Sequence, residues 1–144
     1  MTEEVKAQLK MVDAMIERYI NTVGLKRENT YNTADNMWYW RRGSAQIEAG
    51  LIGGGNNRYY LCVYSFLMEV PPQKTLEAYK HLLELNFDKL GVKISIKPNT
   101  SQVFAIAERD INGIDYEELA TYISDLEWWA DKLDDELKNT FGAF

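Results

Sequence analysis

The sequence predicts an α+β fold, with helices and short strands in the order α-β-β-β-α-β-β-α. Three observations carry that prediction. Apolar residues recur at three- and four-residue spacing near both ends of the chain, residues 45–52 and 92–97 alternate, and a doubly apolar run fills 59–70. Short links between consecutive strands favour antiparallel pairing, so a five-stranded antiparallel sheet packed with three helices is expected. The 144 residues are read as one domain, 1–144, long enough to build a core without covalent staples.

The first helix is expected over Glu3–Val23. Val5, Leu9, Val12, Ile16, Tyr19 and Val23 form one apolar stripe, and Glu3 and Glu4 suit the positive end of the helix dipole. Gly24 fits the position just past the end. Residues 25–36 are polar and turn-forming and are read as a loop. Met37–Arg42 is the first strand, with Trp38 and Trp40 on one face and Met37, Tyr39 and Arg41 on the other. Ala45–Ile52 is the second, opposing Ile47, Ala49 and Leu51 to Gln46, Glu48 and Gly50. Gly53-Gly54-Gly55-Asn56-Asn57 then has the backbone freedom of a hairpin turn. A strand follows it and no Lys-Ser/Thr pair is present, so it does not read as a phosphate cradle.

Tyr59–Val70 is the most informative segment. It reads Tyr-Tyr-Leu-Cys-Val-Tyr-Ser-Phe-Leu-Met-Glu-Val, with Glu69 its only charge. Successive strand residues face opposite ways, so this strand offers apolar surface on both sides. It is too short to cross a bilayer as a helix, which takes about 20 apolar residues. A central strand covered on both faces is expected. The helices of one small domain cover one face, and the other calls for a partner. Pro71-Pro72 ends the strand, because proline cannot donate to the ladder.

The second helix is expected over Gln73–Leu90, with Leu76, Tyr79, Leu83 and Leu90 as its buried stripe and Leu82 and Phe87 widening it. Asn86 falls three residues after Leu83 and four before Leu90. A buried amide needs partners, so its expected role is structural, tying the helix to a neighbouring loop or strand. Val92–Lys97 alternates, with Val92, Ile94 and Ile96 inward, and Gln102–Glu108 is apolar on both faces from Val103 to Ala107. Asp115 and Glu118 form a capping box for the last helix. Tyr116, Leu119, Ile123, Leu126, Ala130, Leu133 and Leu137 make its stripe.

Composition narrows the function. A net charge of −6 and a pI near 4.8 argue against binding to a phosphate backbone, and Lys26-Arg27 and Arg41-Arg42 are only pairs. No nucleic-acid or membrane partner is expected. The single cysteine, Cys62, excludes an internal disulfide and suggests a buried apolar role. The start Met-Thr-Glu-Glu-Val-Lys has no basic region followed by an apolar stretch, so the expected compartment is the cytoplasm. His81 stands alone on a helix with no nucleophile or further metal ligand beside it. Asp110–Asp115 lacks the glycine and glutamate positions of a calcium loop, with Thr121 at the twelfth position, and reads as a turn and helix cap. Asp131, Asp134, Asp135 and Glu136 read as a solvated helix face. No catalytic constellation, metal site or cofactor site survives, so an enzyme is not expected.

Two local patterns, with the order of elements, resemble the type III secretion chaperone-like superfamily and its YbjN branch. One is Leu82-Leu83-Glu84-Leu85-Asn86-Phe87, similar to the Leu-Leu-x-x-Asn segment that closes that family's middle helix. The other is the run from Val92 through Ile106 and Ile114 into Leu119–Leu137: two strands, a short acidic link and a long amphipathic helix. The resemblance implies a small acidic subunit, often a homodimer, and in the secretion chaperones a surface along which an unfolded effector stretch wraps.

On the third strand, one face carries Tyr60, Cys62, Tyr64, Phe66 and Met68, and the other Tyr59, Leu61, Val63, Ser65, Leu67 and Glu69. A free cysteine is usually deeply buried, so the Cys62 face is expected to meet the helices. Tyr59, Leu61, Val63 and Leu67, with Tyr39 and Arg41, are then the candidate partner-binding residues. The leading expectation is a noncatalytic, chaperone-like homodimer holding an extended peptide of a protein partner. The alternatives are a structural or regulatory dimer with no client, and a small-ligand domain with an aromatic pocket.

Overall fold

The computed structural model describes residues 1–142, which form three α-helices, one 3₁₀ turn and a six-stranded antiparallel sheet. Helix α1 spans Glu3–Thr22; the Thr2 hydroxyl caps it by accepting the Val5 amide at 3.2 Å, and Gly24 leaves it at φ +83°. A 3₁₀ turn, Arg27–Asn29, leads to β1 (Tyr31–Asn32), β2 (Met37–Arg42), β3 (Ala45–Gly53) and β4 (Tyr59–Glu69). Helix α2 (Thr75–Asp88), β5 (Lys93–Ile96), β6 (Gln102–Asp110) and α3 (Tyr116–Phe141) complete the chain. The order across the sheet is β1-β2-β3-β4-β6-β5.

The sheet therefore has six strands where five are expected. The extra strand, β1, lies in the segment read as a loop, and two residues are too few to show alternation. Tyr31 and Asn32 pair with Trp38 and Met37. The Tyr31 ring meets Trp38 edge-on at 4.7 Å and carries the Arg27 guanidinium 3.9 Å above it, so stacking supplies what the short ladder lacks.

All three helices lie on one side of the sheet. The register sets Ala49 opposite Val63 and Val63 opposite Ala107. These residues, with Trp38, Trp40, Ile47, Leu61, Ala105 and Ile94, form the buried inner face. Helix α3 crosses it with Leu119, Ile123, Leu126, Ala130, Leu133 and Leu137 wholly buried, and α1 adds Val12, Ile16 and Ile20. One charged side chain enters this core. Glu127 of α3 accepts hydrogen bonds from the Tyr19 hydroxyl and from Trp40 Nε1 (2.8 Å), and Arg42 Nε lies 3.3 Å away. A buried carboxylate is tolerated because its lone pairs are taken, and here it joins α1, β2 and α3. The sequence carried a signal for it: Glu127 falls four residues after Ile123 and three before Ala130, inside the apolar stripe.

Two expectations about facing are corrected. The Cys62 face of β4 does not meet the helices. Leu61, Val63, Ser65 and Leu67 are buried beneath α3, while Tyr64 and Phe66 point away from it. Cys62 is indeed buried, but by outer-face neighbours: the Met37 sulfur lies across Gly50, its cross-strand partner, where a Cβ would stand only 2.1 Å from that sulfur. A bulge between Phe66 and Met68 then turns both Leu67 and Met68 inward. On α2 the residues facing the core are Ala78, Leu82 and Leu85, not Leu76, Tyr79, Leu83 and Leu90. The helix is apolar on two sides, and spacing alone does not say which side meets its own sheet.

Asn86 stands at the flank of α2 beside β5. Its Nδ2 donates to the Ile94 carbonyl at 3.1 Å, and its Oδ1 accepts the Ile94 amide at 2.6 Å. The side chain thus occupies the free edge of β5 as a neighbouring strand would.

Two outcomes follow for stability. Leu61→Asp or Leu67→Asp is expected to abolish the cooperative thermal transition seen by circular dichroism, whereas Phe66→Asp keeps it. Asn86→Ala leaves both Ile94 peptide groups short of a partner and should cost about 1–3 kcal/mol in urea denaturation.

Candidate functional site

Among the described residues, two surfaces are largely apolar and uncovered. The first is the outer face of the sheet. Its central row runs Tyr39, Glu48, Tyr64, Ile106, Lys93 across five strands, and the neighbouring row pairs Phe66 with Phe104 and Phe104 with Ser95. Tyr39, Ile52 and Phe66 are exposed, and Tyr64, Phe104 and Ile106 half-buried. The Phe66 and Phe104 rings meet edge-on at 5.7 Å, a cross-strand aromatic pair that holds this side of the sheet together without a helix. A groove of about 480 Å³ lies along this face between Tyr64, Phe104 and Ile106 on one side and Ser95, Lys97 and Pro98 on the other.

The charges on this face are mostly matched. Lys93 pairs with Glu108, Arg58 lies 3.6 Å from Asp110, and Asp35 accepts the Tyr39 hydroxyl. That hydrogen bond is the main reason the Tyr39 phenol is pushed up to about 12. Glu48 is different. It is half-buried in the groove and makes no hydrogen bond or ion pair among the described residues. Burial holds its carboxyl above the usual carboxylate range; Lys97 opposes that shift and Asp35 adds to it. Cys62 touches Glu108 at 3.9 Å, and burial pushes its thiol up, away from reactivity.

The second surface is the far side of α2. Leu76 (82%), Leu83 (69%), Phe87 (92%) and Leu90 (79%) stand almost fully in solvent. A groove of about 300 Å³ between α2 and β5, lined by Tyr79, Leu82, Leu83, Ile94, Ser95 and Ile96, continues it. At the C-terminal end of α2, the Lys89 ammonium sits 4.9 Å over Trp129, whose ring meets the exposed Trp128 edge-on at 4.6 Å.

Of the sequence-predicted partner residues, Tyr39 and Arg41 lie on the outer sheet face. Leu61, Val63 and Leu67 are core residues under α3, and Tyr59 is half-buried against that core. The exposed outer residues Phe66, Ile52 and Glu48, and the α2 face, were missed. A usable signal existed. Ile47, Ala49 and Leu51 are plainly an inward set, and the hairpin pairing Gly53 with Tyr59 carries that phase to Leu61 and Val63.

Chemistry-bearing groups are sparse. Among the described residues no group of three or more His, Cys, Asp or Glu side chains is placed to hold a metal ion, and no helix is long and apolar enough to cross a membrane. His81 is half-buried, edge-on to Phe141 at 5.6 Å, with Nε2 unpartnered.

No family model and no curated protein sequence matches the chain. Its fold, however, is shared with solved structures. A chain of the ExsC–ExsE complex superposes with a TM-score of 0.65 at 12% identity, over 88% of this chain and 93% of that one. YbjN from E. coli gives 0.62 at 14% identity, over 88% and 91%. The Yersinia pestis type III secretion chaperone SycH, solved with a stable fragment of YscM2, gives 0.55 at 14% identity, over 83% and 97%. The chain therefore has the type III secretion chaperone-like fold that its sequence pattern resembles.

The raised carboxyl of Glu48 has a measurable consequence. Because the folded protein holds this proton more tightly than the unfolded chain does, Glu48 favours folding at low pH. That contribution is lost as pH rises through its raised value. Glu48→Gln should therefore melt higher than the native protein at pH 7. The gap should close as scans move down through the carboxylate range to pH 4.

Proposed function

We propose that this chain, on the fold it shares with secretion chaperones and YbjN, is a noncatalytic protein-binding domain. It acts as a homodimer and holds an extended stretch of another polypeptide. The observation that carries this reading is the amount of aliphatic and aromatic surface left open in two separate places, the α2 face and the outer sheet face. Contiguous apolar surface of this kind marks interaction sites in soluble proteins.

The two places suit different partners. The α2 face is a rigid, mostly aliphatic stripe on a helix of 14 residues, about 21 Å long. A second copy related by a two-fold axis would lay the same stripe against it, so that each side chain meets its own kind. The groove between α2 and β5 widens that contact toward the area a stable dimer needs. The outer sheet face is flatter and mixes rings with polar groups, which fits an extended segment whose side chains alternate.

Sedimentation equilibrium tests the dimer. The native protein should sediment as a dimer at tens of micromolar, and Leu83→Asp with Phe87→Asp as a monomer with an unchanged circular dichroism spectrum. A native protein that stays monomeric at that concentration removes α2 as a self-association surface.

A further inference from the structure

The inference concerns which polypeptide the outer face accepts, and it rests on the protein-binding reading above. Glu48 sits between two tyrosines of the central row, with Tyr39 directly across on β2 and Tyr64 directly across on β4. Adjacent strands lie about 4.8 Å apart, so a cationic head group on this row that reaches the carboxylate also lies beside the two tyrosine side chains. The other carboxylates of the face are engaged: Glu108 by Lys93, Asp110 by Arg58, and Asp35 by the Tyr39 hydroxyl. Glu48 has no such partner among the described residues, although Lys97 lines the same groove. Half-buried, with Lys97 in the groove but no hydrogen bond or ion pair among the described residues, it has already lost part of its hydration, so an incoming cation that pairs with it gains attraction at less further cost to this side.

Two residues along β4 on the same face, Phe66 packs on Phe104. Phe66 is therefore the diagonal neighbour of the acidic position, about 7–8 Å away, and Phe104 lies one strand beyond it. We infer that the outer sheet face takes an extended segment carrying an arginine or lysine with apolar residues two positions to either side, on the same face of the segment. The cationic head rests on Glu48 between Tyr39 and Tyr64, and the apolar neighbour on Phe66 and Phe104. The net charge of −6 adds a long-range pull on such a segment.

The probe is an acetylated, amidated peptide, Ser-Val-Thr-Leu-Ser-Arg-Ser-Leu-Thr-Val-Ser, whose leucines and valines share a face with the arginine when it is extended, compared with the same peptide carrying citrulline, the neutral isostere, in place of arginine. Titration calorimetry on the full chain should show the arginine peptide binding about tenfold more tightly than the citrulline one. Glu48→Gln should reduce that ratio to about one while leaving citrulline-peptide affinity unchanged. Amide shifts in NMR should cluster on Glu48, Tyr64 and Ile106, not on α2. Equal affinities on the native protein overturn the inference and leave the polypeptide-binding reading standing. A preference that survives Glu48→Gln, or shifts that map to α2, overturns the assignment to this face. If neither peptide binds at millimolar concentration, the inference falls together with the client half of that reading, while the dimer is judged by sedimentation alone.

Discussion

Where α3 crosses the sheet, the strands beneath it carry small side chains. Ala49, Val63 and Ala107 line up across three strands with no more than 3% exposure, and Ser65 and Ala105 continue the floor toward β5. Small residues let the helix approach closely, so Leu119, Ile123, Leu126 and Leu133 lose all contact with water. Once that contact forms, the pleat leaves no freedom. Every residue one position out of phase, Tyr64, Phe66, Phe104 and Ile106 among them, must face the other way. The open aromatic face is thus a direct consequence of how tightly the other face is filled.

Polar groups fix the geometry that apolar packing leaves loose. Leucines slide against one another at little cost, whereas a buried carboxylate demands its donors at fixed positions. Glu127, reached by Tyr19 and Trp40 with Arg42 beside it, therefore sets how α1 and β2 sit against α3. At the opposite end of the sheet Asn86 does the same for α2, through both peptide groups of Ile94. It also fills an edge where another strand would otherwise add. Orienting α2 in this way buries Ala78, Leu82 and Leu85 and turns Leu83 and Phe87 to solvent. A core decision and a surface property are the same rotation of one helix.

The functional reading follows from the two surfaces left over. A helix face of leucines and a phenylalanine has little use for water and none for a polar ligand. The sheet face mixes rings with a free carboxylate and is suited to choose among partners. Under the proposed function, affinity and selectivity reside in different places, self-association on one surface and client choice on the other. Cys62, buried in the sheet with its thiol pushed up by that burial, takes no part in that division.

By itself the sequence determined the class of fold, the three helices, and strands β2 to β6 close to their observed limits, because periodicity and turn chemistry are local properties. The hairpin after Gly53, the stop at Pro71-Pro72 and the cap at Asp115 are written in the residues that make them. The inward side of α2 was not, and the phase of β4 was carried only through its hairpin with β3, not by its own residues; Tyr39, Arg41 and the outward side of Glu48 were legible, Leu83 was not. What the residues of each element leave open, its neighbours decide, for one reason. A strand or helix that is apolar on both sides has two equally good buried faces, and only the shape of what packs against it chooses between them.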